Sequence, residues 1–180
     1  MKARIIYPSR KKIFRLIIYS TIFICIGCWM LIFQPQTSNP IFNQPFIKYS
    51  AAILGLAMGF AGIIFFSKKL RDNNPVMELT DDGVTDYSSA VAAGFIPWSD
   101  IKKIEQVSVS GQKFLRIDVF NPQEYIDRQQ HSYKRKLMQA NWKRYGSPIF
   151  FSPLIMQITL PELIQELNSR FKAFSNSTNS

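Results

Sequence analysis

The 180-residue sequence predicts an α+β protein in two parts: an N-terminal two-helix transmembrane hairpin, then a small antiparallel-sheet domain closed by a C-terminal amphipathic helix. Three observations lead there. Two uncharged runs of 18 residues, 16–33 and 49–66, follow one another near the N-terminus. Short strand patterns separated by turn residues fill much of the remainder. Near the end, Thr159-Leu-Pro-Glu162 forms a capping box ahead of an apolar stripe at helical spacing.

Residues 1–15 are basic, with Lys2, Arg4, Arg10, Lys11, Lys12 and Arg15 and no acid. The net charge of +10 points first to nucleic acid or an anionic membrane. Its distribution decides between them: residues 1–71 hold ten of the 22 basic residues and none of the 12 acidic ones, so residues 72–180 are neutral. Reading the whole chain as a basic nucleic-acid binder fails on that count. Two cysteines and one histidine leave no disulfide framework and little room for a zinc site.

Each 18-residue run would span roughly 27 Å as a helix, close to the hydrocarbon thickness of a bilayer. The first, 16–33, is long for a signal-peptide core, and the residues after Trp29 offer no small-residue cleavage site, so an uncleaved anchor is expected. Residues 34–48 form a short external loop with Pro35, Pro40 and Pro45 and a single base, Lys48. The second span, 49–66, is followed by Lys68, Lys69 and Arg71. The positive-inside rule then puts both termini in the cytoplasm of a bacterial cell, with the protein multi-pass in the inner membrane. Gly55, Gly59 and Gly62 lie on a small-residue surface of the second span that contains a GxxxG. Such a surface either packs on the first span near Gly27 within one monomer or builds a homodimer. Cys25-Ile-Gly-Cys28 lies mid-span without acid or histidine neighbours and reads as two small apolar side chains. Neither span holds an ionisable acid or base, which gives no sign of an ion path.

Residues 75–174 are expected to form the sheet domain. Residues 76–80 and 84–87 read as a hairpin about Asp81-Asp82-Gly83, with a loop over 88–94 and a strand over 95–98. Ser99 or Asp100 caps a turn, and residues 102–110 follow as a strand whose apolar phase slips between Ile104 and Val107, the mark of a bulge. After a turn at Gly111-Gln112, residues 113–120 place Leu115, Ile117 and Val119 on one face and Arg116 and Asp118 on the other. Residues 123–145 are expected to form one polar helix, and 149–152 a last strand. Leu160, Leu163, Ile164, Leu167, Phe171 and Phe174 make the stripe of the closing helix, and residues 175–180 a disordered tail. Ile5-Ile6-Tyr7, on the same side of the membrane as the domain, could add an edge strand to its sheet.

The basic start before the first span, ELTDDGVTDYSS, IPWSDIKKIE, the FNP after a strand, and GSPIFFSP ahead of a helix are similar to an uncharacterised family of small two-span bacterial inner-membrane proteins with a cytoplasmic PH-like domain. The resemblance covers most of the chain. It implies fold and location, since the family has no established activity to carry over.

No phosphate loop, nucleophile elbow or metal-ligand cluster is present, and no cofactor is expected. His131, the only histidine, sits among polar residues, and a third class of reading, a membrane enzyme using Asp100, Asp118 or His131, needs those side chains to converge. The polar helix carries Arg128, Lys134, Arg135, Lys136, Lys143 and Arg144 with Trp142 interleaved, a composition that suits anionic headgroups or a protein partner better than nucleic acid when the domain is tethered to a bilayer. The expected function is a membrane-anchored, non-enzymatic binding or scaffolding module with an unidentified protein partner. The alternative is an immunity protein that protects its cell against a membrane-active or secreted toxin.

Overall fold

The computed structural model describes residues 2–87 and 91–178. Along the chain run β1 (Arg4–Ile6), α1 (Arg10–Phe33), α2 (Pro45–Arg71), β2 (Met77–Leu79), β3 (Gly83–Asp86), β4 (Gly94–Pro97), β5 (Ile101–Val109), β6 (Gln112–Val119), α3 (Pro122–Asp127), α4 (Ser132–Tyr145), β7 (Ile149–Phe151) and α5 (Leu160–Thr178). They fall into two compact units. Residues 9–73 form a helical hairpin, and residues 1–8 join residues 74–180 in a sheet domain. The hairpin is thus inserted within the sheet domain, between β1 and β2.

In the hairpin, α1 has 24 residues and α2 has 27, so both are long and apolar enough to cross a membrane. Only 11% of each apolar window is buried, which separates them from core helices of a soluble protein. Ser9 caps α1 by accepting from the Lys12 N–H, and Pro45 starts α2 where a missing N–H is harmless. The connection is held by Asn43 accepting from the Thr37 N–H at 2.8 Å and by the Gln34 side chain donating to Tyr49 Oη at 2.8 Å.

The sheet domain has a four-stranded antiparallel sheet in the order β1-β2-β3-β4 and a three-stranded one in the order β5-β6-β7. Side chains from both sheets and from α5 share one buried cluster, built around Trp98, Met77, Leu79, Ile96, Leu115, Ile117, Leu163 and Leu167. The β2–β3 turn is held by Thr80, whose N–H donates to Gly83 O and whose hydroxyl accepts from the Asp82 and Gly83 N–H groups. Gly83 is required there because a side-chain carbon would run into Ile96 O of the neighbouring strand. Ser110 and Gly111 both have positive φ, 49° and 80°, the type I′ geometry that suits the twist of the β5–β6 hairpin.

Three expectations change and a fourth holds. The bulge in β5 lies at Lys102, between the pairs Ile101–Val119 and Lys103–Asp118, and not between Ile104 and Val107. It keeps both Ile101 and Ile104 in the core, while Val107 turns outward opposite Phe114, where the Phe114 and Phe150 rings meet. The single polar helix over 123–145 is two, α3 and α4, for reasons given below. The closing helix runs on to Thr178, because Ser175 and Ser177 hydroxyls donate to the carbonyls of Phe171 and Phe174 and satisfy the last turn. Only residues 179 and 180 of the expected tail lie outside the described residues, as do 88–90 of the expected loop. The edge strand expected at residues 5–7 is present one residue earlier, over Arg4–Ile6, with Tyr7 beyond its end.

The capping box at α5 is present: Glu162 Oε2 accepts from the Thr159 N–H at 3.0 Å and from its hydroxyl, and the Glu162 N–H points back to Thr159 Oγ1. Those bonds from Thr159 hold the Glu162 carboxyl below the usual glutamate value of 4.5. Arg170 does the same for Glu166, and Lys103 with Arg116 for Glu105. Acids depressed in the folded state contribute stability above their unfolded pKa and lose it as pH falls through the folded one. The melting temperature of the full chain should therefore decline as pH drops below about 4.5, with a shallower decline in Glu166→Gln. An unchanged acid slope in that variant would contradict the assignment.

Candidate functional site

The α4 helix carries most of the basic residues singled out from the sequence. The chain breaks before it because tertiary bonds outcompete helix continuation. Gln129 is buried and its side chain donates to Ala92 O at 3.1 Å, and Arg128 donates to Phe95 O at 3.3 Å, pinning residues 128–131 onto the approach to β4. His131 is extended (φ −91°, ψ 128°), and its carbonyl accepts from the Lys134 and Arg135 N–H groups to open the new helix. Gly146, at φ 82°, closes it, donating its N–H to Trp142 O.

The helix buries Met138 and leaves Lys134, Asn141, Trp142 and Tyr145 half-buried, all on one face. Trp142 packs against the buried cluster from its edge. The opposite face presents Tyr133, Lys136, Leu137, Ala140, Lys143 and Arg144 to solvent. Tyr133 is 52% and Leu137 48% exposed, so two sizeable apolar groups stand among three cations. Arg135 is also exposed, at the margin.

Arg128 stands apart from this stripe. It is paired with Glu124, lies over the Tyr125 ring at 4.5 Å and bonds to Phe95 O. Its guanidinium is paired at the α3 corner, with the side chain still 42% exposed. At the other end of α4, Arg116 donates to Tyr145 O at 2.8 Å and pairs with Glu105 and with Asp118 at 2.9 Å. The guanidinium thereby neutralises the helix C-terminus and two acids on the outer face of the second sheet. The sequence offered a trace of this cluster, since Arg116 and Asp118 alternate with core residues; the join to α4 had no local signal.

The candidate catalytic trio does not share a contact. Asp100 accepts from Tyr125 Oη at 2.7 Å, Asp118 pairs with Arg116, and His131 stacks on Tyr133 at 5.8 Å. Burial, reinforced by the Asp100 carboxylate, pushes the Tyr125 hydroxyl far above its ordinary pKa, which suits a fixed structural donor. Among the described residues, no three His, Cys, Asp or Glu side chains gather in a way that would hold a metal ion.

In the hairpin, Gly59 and Ala52 of α2 are buried, as are Ser20 and Gly27 of α1. An added carbon at Gly59 would lie 2.8 Å from Ser20 O, and one at Gly62 would strike Ser20 Oγ. One at Gly55 would meet nothing closer than Phe23 O at 3.8 Å. Gly59 and Gly62 thus pack closely against Ser20 of α1 in the same chain, and Gly55 does not. Cys25 and Cys28 are exposed free thiols.

Comparison with protein-family models, with curated proteins and with solved structures matches this chain to none of them.

Proposed function

We propose that this chain is a membrane-anchored, non-enzymatic binding module of a bacterial inner membrane, with both termini cytoplasmic and a PH-like domain held at the cytoplasmic face. The observation that carries the reading is the pairing of β1 with β2. One strand precedes the apolar hairpin and the other follows it, so a membrane crossed by α1 must be crossed again by α2 before the sheet can close. The basic residues 2–15 and 68–71 favour the cytoplasm for those shared ends. Four strands, then three, then a closing helix are the order a PH-like domain requires, which supports the likeness drawn from the motifs. Topology reporters inserted at Ser38 and fused after Ser180 should report opposite sides of the membrane; the same side for both would sink the reading.

The outer stripe of α4 is the contact surface of this module, and anionic headgroups are what it fits. Three cations beside Tyr133 and Leu137 combine Coulomb attraction with apolar groups that enter the interface. The partner set narrows to Lys136, Lys143 and Arg144, since Arg128 and Trp142 are engaged within the domain and Lys134 lies toward the packed face. With Cys25 and Cys28 replaced by serine, a fluorophore on Ala140→Cys in full-chain nanodiscs should be quenched by headgroup-labelled lipid when the disc is anionic. Quenching should fall severalfold with Lys136, Lys143 and Arg144 changed to Glu. Equal quenching in neutral discs would show that anionic headgroups are not what α4 recognises, and no quenching in either disc would leave it a solvated helix.

A further inference from the structure

We infer that the sheet domain contains a strand-accepting slot for extended polypeptide segments of the pattern Arg–x–apolar, and that the chain's own residues 2–8 are its resident ligand. One wall of the slot is β2: Arg4, Ile5 and Ile6 face Leu79, Glu78 and Met77, and the Val76 N–H donates to Ile6 O at 2.8 Å. The other wall is the segment before α5 together with that helix. The Gln157 N–H donates to Tyr7 O at 3.0 Å, its side chain donates to Pro8 O at 3.3 Å, and Pro8 bridges to Met156. Farther along, Arg170 Nη2 donates to Lys2 O at 3.0 Å. Hydrogen bonds therefore reach the segment from both sides, two from backbone N–H groups and two from side chains, and all four go to carbonyls that any extended chain would present.

Two side chains are read. Ile6 is 4% exposed and belongs to the buried cluster, and Arg4 Nη1 lies 2.9 Å from Glu166 Oε2. Residues four and six of a strand point to the same face, so one acid and one apolar cavity two residues apart define the pattern. Ile5, between them, is exposed. The slot is not closed over its occupant: beside Arg4 and Ile5 a cleft of about 550 Å³ stays open, lined also by Gln157, Glu162 and Glu166. An incoming strand can begin to pair there before the resident one has left. This is recognition by strand addition, in which backbone bonds supply affinity and alternate side chains supply selectivity.

The resident segment is covalently joined to α1, so an outside peptide competes against a local concentration on the order of millimolar. Cutting that tether exposes the site. In the full chain in nanodiscs, with a protease-cleavable sequence inserted between Pro8 and Ser9, a labelled peptide of residues 2–8 in excess should bind saturably after cutting and about 100-fold more weakly before it. The Ile6→Asp peptide should bind at least about tenfold more weakly, because it puts a carboxylate into the core. The Arg4→Glu peptide should lose about two- to fivefold and regain it on a Glu166→Arg chain. If cutting alone makes the domain protease-sensitive, the residue 2–8 peptide should restore resistance and the Ile6→Asp peptide should not. A cut chain that stays resistant yet takes up no peptide, one that takes up the Ile6→Asp peptide equally well, or one that neither peptide restores would overturn the assignment.

Discussion

Trp98→Ala should lower the unfolding free energy of the sheet domain by about 3–5 kcal/mol, the range for emptying a buried aromatic site. Against a total of roughly 5–15 kcal/mol for a domain of this size, that is enough to leave it partly unfolded at physiological temperature. Trp98 is 1% exposed and joins three regions at once. Its backbone N–H donates to Asp82 O at 3.0 Å and its indole N–H to Thr80 O at 3.2 Å, so it holds the β2–β3 turn. Its ring lies 6.4 Å from that of Phe171 on α5. Trp98→Phe keeps most of the packing and loses the indole donor, at a cost of about 1–3 kcal/mol. Denaturant unfolding of the full chain in micelles, followed by the circular dichroism of the sheet, measures both. A loss below about 1 kcal/mol for the alanine variant would show that α5 does not close the domain through this ring.

Gly59→Leu should force the two helices of the hairpin apart, with a packing cost of about 1–3 kcal/mol. The obstacle is backbone: a carbon on Gly59 meets Ser20 O at 2.8 Å and Ile24 N at 3.1 Å, and no rotamer change moves either. Gly55→Leu is the matched control, four residues along the same helix, with 3.8 Å of clearance from Phe23 O. Gly62→Ala meets the Ser20 side chain, its hydroxyl most closely and its Cβ at 3.1 Å, so Ser20→Ala should relieve it in part while leaving Gly59→Leu impaired. With the native cysteines replaced, spin labels at Ile22 and Phe60, both exposed, report the separation. A longer and broader distance for Gly59→Leu, and an unchanged one for Gly55→Leu, is the expected result. If both broadened alike, the close approach at Gly59 would not be what holds the hairpin.

The parts of the fold that were legible in the sequence share a physical character: their signal is long or chemically local. An 18-residue uncharged run needs no partner to declare itself. Thr159 and Glu162 carry a cap within four residues, and Leu115, Ile117 and Val119 alternate over one strand. The break at residues 128–131 was illegible because no Gly or Pro marks it; Gln129 and Arg128 make it by bonding to residues more than thirty positions away. The slip in β5 was visible as a disturbed phase, but its place was decided by pairing with β6. On α4 the composition was plain and the facing was not. Which of its cations look outward follows from Met138 and Trp142 finding the core.

By itself the sequence determined that the chain has two apolar helices, a basic N-terminal region before and just after them, and a neutral domain closed by an amphipathic helix, because length, charge and periodicity are properties of consecutive residues. Only the tertiary structure decided that residues 4–6 belong to a sheet whose other strands begin seventy residues later, and that Gly59 meets Ser20 of the same chain. Three residues are too short to carry a period, and a small side chain leaves no trace of what packs against it. Both depend on contacts between segments distant along the chain, where pairing and close packing take over from local propensity.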